Sequence, residues 1–376
     1  MFVPLGAGYA PVVQIDSLEA RSYEVATDQP EADGTLSWTK TTVVVVLVGA
    51  GGQIGTGWTY GSDASRVVVD SVLSGVLLGA DPMAVTALNE AMARQCRNLG
   101  RPGVCAHAIS AADVALWDLK ARLLGTGLAA LLGQHRRGAP IYGSGGFTTY
   151  DDRTTAAQLE RWVGELGARS CKIKVGEDWG GNVERDLARV ALSRRVAGEA
   201  VDLMVDANGG YSRKQAVRFG RRVLDEHGVV WFEEPVSSDD LDGLREVRDQ
   251  VAVDVTAGEY GYHLPYFAAM VAAGAVDCLQ MDATRCGGYT GWLEAAALAK
   301  SHNLEVSAHC SPNLHAPAAL AVPNLRHVEY FHDHARLDPM LFDGLPAVGD
   351  GQMWLDPGAP GHGMSLRADA ERHRIG

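Results

Sequence analysis

Seven short apolar runs in this sequence each end in an ionisable residue. The runs close on Lys172-Ile173-Lys174, Asp206-Ala207-Asn208, Glu233-Glu234-Pro235, Gly258-Glu259, Asp282, His309 and Glu329. From Lys174 onward the intervals between these groups run from 20 to 32 residues, each about one strand plus one helix. Groups so far apart along the chain meet only if the strands close into a ring. Asp206, Glu233 and Glu259, on adjacent strands, then make an all-oxygen donor set, which suits a hard divalent cation and leaves room for water and substrate oxygens. Magnesium (Mg2+) is the first choice. A soft ion would want His or Cys, and His309 and Cys310 lie two strands further on.

Lys172 and Lys174 are two apart on a strand, so both point to one face and Ile173 to the other. Two ammonium groups that close lower each other's affinity for a proton, and burial beside Cys171, Ile173 and Val175 adds to the effect. One lysine then becomes a usable base near neutral pH. Asp282 and His309 end neighbouring strands, where the carboxylate can hold the imidazole in one tautomer and raise its basicity.

These groups need a scaffold. Strand patterns are expected at 141–143, 171–175, 202–205, 230–232, 253–257, 278–281, 305–308 and 327–330, with helical patterns at 155–166, 183–195, 214–226, 240–250, 265–273 and 291–301 between them. Eight strands interleaved with helices, seven of the strands ending in an ionisable residue, predict a closed α/β barrel. Upstream, strand patterns at 12–25 and 41–48 precede helical ones at 65–78, 82–98 and 110–124. Ser110 and Asp113 have the spacing of a capping box opening the last helix, and Gly125 ends it. After 335 the prolines and glycines predict an irregular tail. The expected division is an α+β capping domain over 1–138, the barrel over 139–335 and a C-terminal segment over 336–376 that returns to the capping domain.

The 376 residues carry 33 Lys and Arg against 46 Asp and Glu, a net charge of −13, which disfavours nucleic acid and anionic membranes as partners. The longest uninterrupted apolar run, 266–273, is far below the roughly 20 residues a membrane span needs. No basic segment precedes an apolar stretch near the N-terminus, so a cytoplasmic location is expected. Six cysteines without CxxC spacing suit reduced thiols. Gly49-Ala50-Gly51-Gly52-Gln53-Ile54-Gly55 after a strand pattern resembles a dinucleotide loop, but the helix that should follow at once is displaced by Trp58–Asp63, so a hairpin turn is the simpler reading against a nicotinamide-dependent dehydrogenase. His332-Asp333-His334 reads as polar lining of the barrel mouth rather than a metal motif.

The ordered set of motifs resembles the mandelate racemase subgroup (mandelate racemase/muconate lactonizing enzyme-like proteins) of the enolase superfamily. It comprises Ala115-Leu116-Trp117-Asp118-Leu119-Lys120, Lys172-Ile173-Lys174, Asp206-Ala207-Asn208, Glu233-Glu234-Pro235, Gly258-Glu259, Asp282 with Gly287-Gly288, His309 and Pro360-Gly361-His362-Gly363. The resemblance implies a modified (β/α)7β TIM barrel with an N-terminal α+β capping domain, and magnesium-dependent removal of the proton α to a carboxylate through an enediolate. It implies that Asp206, Glu233 and Glu259 bind magnesium, that Lys174 is the base on one face and that His309, oriented by Asp282, is the acid or base on the other. Lys172 would touch one carboxylate oxygen, Glu329 would hydrogen-bond the other, and Asn208 would help hold the substrate. Dehydration of a sugar acid is the first expectation, racemisation or epimerisation the second and cycloisomerisation the third, since such members usually carry a second lysine, not a histidine, on the far side. A non-catalytic barrel would have lost some of these residues, and none is lost. The capping domain would set specificity through 28–39 and 55–63, where Trp38, Trp58 and Tyr60 contact substrate or merely pack between domains. A small carboxylic acid is the expected partner, and a homo-oligomer the expected assembly.

Overall fold

The computed structural model describes residues 13–376. Val12, where the first strand is expected to begin, lies outside them. Three antiparallel strands open the described residues: β1 (Ile15–Ala32), β2 (Ser37–Ala50) and β3 (Gln53–Tyr60). Val43–Val46 and Val48 are fully buried in β2, the β-branched run that gives this sheet its core. Ala50 pairs with Gln53 across Gly51 and Gly52, both at positive φ (57° and 74°), as a two-residue hairpin of the primed type demands. A strand and not a helix follows the glycines, so no pyrophosphate-binding turn exists here.

Eight parallel strands then close a ring: β4 (Gly138–Gly145), β5 (Ser170–Lys174), β6 (Asp202–Asp206), β7 (Val229–Glu233), β8 (Asp254–Ala257), β9 (Cys278–Met281), β10 (Glu305–Ala308) and β11 (Leu325–Phe331). β11 returns to β4, with Val328 opposite Ile141 and Phe331 opposite Ser144. Alternation along each strand sorts the side chains. Ile173, Val205, Phe232 and Val255 join the main apolar cluster, while Tyr142, Met204, Trp231 and Cys278 form a separate small cluster under the polar strand ends.

The helix Val104–Leu123 runs between the two units. It begins six residues before Ser110, because the apolar run through Ile109 continues it, so Ser110 and Asp113 do not cap it as expected. They serve a different helix: the Gly287 amide donates to Ser110 Oγ at 2.8 Å and the Thr290 amide to Asp113 Oδ1 at 3.0 Å, at the start of the barrel helix Gly288–Ser301. The cap is real and acts across the domain interface. Asp118, on the same helix, accepts from the amides of Thr56 and His362, which ties β3 to the tail motif.

The tail is also more regular than expected. The helix His332–Leu341 follows β11 despite Pro339, Gln352–Trp354 adds antiparallel to β4, and Arg374–Ile375 pairs with β1. Pairings of two or three residues between prolines leave no period to read.

Asp338 on that helix accepts from Tyr60 Oη at 2.6 Å and Asn313 Nδ2 at 2.8 Å. Burial pushes its pKa up to about 7. A carboxyl raised on folding favours the folded state fully below its unfolded value near 4, and that contribution is lost as pH rises towards 7. Thermal stability should therefore fall across this window, by up to about 1.4 kcal/mol per pH unit from this group. Asp338→Asn should flatten the slope, read by melting temperature at each pH.

Candidate active site

The polar strand ends meet at one mouth of the barrel. In-register pairing sets Lys174, Asp206 and Glu233 in a row across β5, β6 and β7. Glu259 stands two residues beyond β8, after Gly258 at φ 134°, where a Cβ would fall 2.1 Å from Gln280 O. Ligand oxygens of Asp206, Glu233 and Glu259 lie within 4.8 Å of one another, and all three residues are buried. Lys172 Nζ reaches Glu233 Oε1 at 2.5 Å, Glu329 Oε1 at 2.8 Å and Asp206 Oδ2 at 3.5 Å. Lys174 Nζ lies 2.5 Å from Asp206 Oδ2. On the far side of the triad His309 Nδ1 is 2.9 Å from Asp282 Oδ2, and its Nε2 is 3.4 Å from Glu259 Oε2. The two candidate proton-transfer groups thus touch opposite members of the triad. Asn208 follows Asp206 with its amide on Asp206 Oδ1 at 2.9 Å and its own Oδ1 without a partner. Asn208, Glu234 and Cys310 all adopt positive φ (45°, 37° and 48°) immediately past the strand ends, strain that packing must hold in place.

The electrostatics correct one expectation. Burial and mutual repulsion do lower the proton affinity of the lysines, but the carboxylates outweigh both. Desolvation opposes the charge on Lys172, Glu233 and Glu329 restore it, and the net shift is well above the ordinary value. Lys174 is likewise raised, against desolvation, chiefly by Asp206. Burial, then the neighbouring Asp206, pushes Glu233 up to about 8. Glu234, buried beside Glu259, is raised well above the carboxylate range. Asp282 is held low, because its bond to His309 and the charges of His309 and Arg285 exceed the desolvation cost. His309 is raised against desolvation, first by the charge of Glu259 and then by its bond to Asp282. Too many acids share this space for the two lysines alone.

That surplus tests the fit of a cation. Glu259 Oε2 is buried without a hydrogen-bond partner, and an oxygen-only set is the donor chemistry magnesium takes. The residues present fit magnesium.

The sequence matches the family "Mandelate racemase / muconate lactonizing enzyme, N-terminal domain" over 19–133 and "Enolase C-terminal domain-like" over 154–370. The chain belongs to the enolase superfamily. This superfamily member is an enzyme, and its reaction class is magnesium-dependent removal of a proton α to a carboxylate. It is 45% identical to a mandelate racemase/muconate lactonizing enzyme-like protein from Rubrobacter xylanophilus of known structure, with TM-score 0.93 over 96% of this chain and all of that one. It is 32% identical over 299 residues to the L-talarate/galactarate dehydratase of Salmonella typhimurium, covering 79% of this chain and 72% of that protein. A structure of that dehydratase liganded with Mg and L-lyxarohydroxamate superposes with TM-score 0.89, at 26% identity over 97% of this chain and 94% of that one. The 3,6-anhydro-alpha-L-galactonate cycloisomerase of Streptomyces coelicolor is 33% identical over 337 residues, 88% and 90% of the two chains.

Several groups at the mouth of this superfamily barrel carry no clear sequence signal. Ser144 Oγ donates to Glu329 Oε1 at 2.6 Å, and Trp231 Nε1 to Glu233 Oε2 at 3.0 Å. Arg285 stands 3.4 Å from Glu259 and 3.5 Å from Asp282; its place three residues after Asp282 was the available clue. His315 accepts from the Ala283 amide at 2.8 Å, which keeps that nitrogen free of a proton behind Asp282.

The stretch 28–39 does reach the mouth: a Cβ on Gly34 would sit 2.8 Å from the backbone oxygens of Val175, Gly176 and Ala207. Trp38 packs edge-on against Phe147, beside Cys310 and Phe331. Trp58 and Tyr60 instead stack on Phe342 and His334 inside the interface, so 55–63 offers neither to a substrate. Of His332-Asp333-His334, His332 holds Asp28, Asp333 holds Thr41 and His334 stacks on Tyr60. The trio fastens the N-terminal sheet to the barrel rather than simply lining the mouth.

Proposed function

We propose that this enzyme dehydrates a sugar acid to a 2-keto-3-deoxy acid. Asp206, Glu233 and Glu259 would hold magnesium, which when bound supplies Lewis-acid stabilisation of charge developing on the substrate carboxylate. Lys174 takes the α-proton from one face. Once Asp206 and Glu233 are engaged by a cation, the attraction that keeps Lys174 protonated weakens, while burial and Lys172 continue to oppose its charge. His309, held by Asp282, gives its Nε2 proton to the departing β-hydroxyl on the other face. Lys172 places an ammonium at the substrate carboxylate, and Asn208 offers its unpartnered Oδ1 to a hydroxyl. Glu329 departs from the role the resemblance implies. It is held ionised, chiefly by Lys172 once desolvation is overcome, and its oxygens accept from Lys172, Ser144 and the Cys310 amide. It has no proton to donate to substrate, so we assign it to positioning Lys172.

The observation that carries this reading is the carboxylate triad with Lys174 at one end and the His309–Asp282 pair at the other. The dehydratase relative supports the choice of outcome. Magnesium-loaded enzyme incubated with a panel of aldonic and aldaric acids should convert at least one to a 2-keto acid, detected with a carbonyl reagent. If none reacts while a 2-hydroxy acid exchanges its α-hydrogen in heavy water, the enzyme is a racemase or epimerase, which the same two-sided pair permits. The reading extends to a homo-oligomeric cytoplasmic enzyme, divided at 138 and 335, whose partner is a small acid rather than nucleic acid or membrane. The charge of −13 and the absence, among the described residues, of any helix long and apolar enough to cross a membrane support the last point.

A further inference from the structure

Beside the carboxylate triad lies a second set of ligand atoms with different chemistry. An imidazole nitrogen of His309, the thiol of Cys310 and a carboxylate oxygen of Glu329 lie within 4.8 Å of one another, and all three residues are buried. Cys310 Sγ is 3.3 Å from His309 Nε2, the nitrogen left over once Nδ1 faces Asp282. Glu329 Oε2 accepts one bond, from the Cys310 amide at 2.6 Å, and keeps a lone pair to offer. The two sets share no residue. Imidazole and thiolate are borderline to soft donors, which select zinc-like ions over magnesium.

We propose that His309, Cys310 and Glu329 bind a thiophilic divalent cation, zinc or cadmium, and that this ion inhibits the enzyme by occupying His309 Nε2. On binding, the Cys310 S–H bond breaks, its proton passes to water, and a sulfur–metal bond forms. His309 keeps its Nδ1 proton towards Asp282 and gives the Nε2 lone pair to the ion, so a protonated imidazole first loses its Nε2 proton to water. One thiolate and one carboxylate balance the double charge. Three protein ligands leave a fourth position for water, an ordinary zinc coordination. A histidine so engaged can neither give nor take a substrate proton. Magnesium has no claim on these ligands, so it does not displace the ion from them.

The test is a titration of magnesium-saturated enzyme with cadmium chloride, following thiolate-to-cadmium ultraviolet absorption, proton release and turnover. One ion per chain should bind, the charge-transfer band should rise as turnover falls, and further magnesium should restore nothing. Cys310→Ser should lose the band and raise the half-inhibiting cadmium concentration by about tenfold or more relative to its own uninhibited rate. Cys310→Ala should behave alike. If both substitutions prevent folding, the wild-type titration still decides. Inhibition without the band, or relief of inhibition by magnesium, would put cadmium at Asp206, Glu233 and Glu259 and overturn the proposal. A band that persists in a folded Cys310 variant overturns it as well, since another buried thiol would then be the ligand. The band and the proton release need no substrate, so they succeed or fail separately from the dehydratase reading.

Discussion

Lys174→Ala should lower turnover by about 10³-fold or more while leaving magnesium affinity nearly unchanged, and His309→Asn should do the same. Each side chain meets the triad from outside: Lys174 at Asp206, His309 at Glu259. Neither belongs to the three-carboxylate set, so a cation loses no ligand when either is removed. A dehydration needs both a base for the α-proton and an acid for the hydroxyl, so neither group can stand in for the other. Steady-state kinetics with calorimetric magnesium titration separates the two effects. Full activity in either variant would mean that the base and acid are misassigned.

The second large effect concerns Glu259. Glu259→Gln keeps the shape of the side chain and removes its charge, and should weaken magnesium binding by about 100-fold and abolish turnover at ordinary magnesium concentrations. Glu259 is the informative member because Lys172 and Lys174 leave it alone: Glu233 and Asp206 already have ammonium partners, whereas Glu259 Oε2 has none. Excess magnesium should partly restore the variant, and a chelator followed by magnesium should remove and return wild-type activity. Unchanged magnesium affinity in Glu259→Gln would exclude this carboxylate from the cation site.

The barrel was legible because its strands are short and largely apolar and seven of the eight lead into an ionisable residue, a pattern that packing on one side and chemistry on the other impose directly. The same logic located Lys174, Asp206 and Glu233, whose alignment depends only on register between neighbouring strands. What depends on distant partners was not legible. Ser110 and Asp113 carry a capping signal, but nothing in their neighbourhood says that the capped helix begins at Gly288. Lys172 and Lys174 look like mutually depressed bases until the carboxylates from three other strands are counted. For Trp58 and Tyr60 the sequence leaves substrate contact and packing between domains both open, because it does not reveal that Phe342 and His334 cover them. Arg285 and Ser144 are ordinary residue types at unremarkable spacing, and only closure of the ring gives them partners.

The central claim is that Lys174 and His309 stand on opposite sides of one substrate held at the carboxylate triad, Lys174 at its α-hydrogen and His309 at its β-hydroxyl. The measurement that bears on it most directly is α-hydrogen exchange in heavy water, followed by NMR on a substrate epimer pair, for magnesium-loaded Lys174→Ala and His309→Asn. His309→Asn should still exchange the α-hydrogen of one epimer, Lys174→Ala should not exchange that hydrogen, and chelation should stop the exchange. Exchange of that hydrogen by Lys174→Ala, or exchange that survives chelation, would contradict the claim.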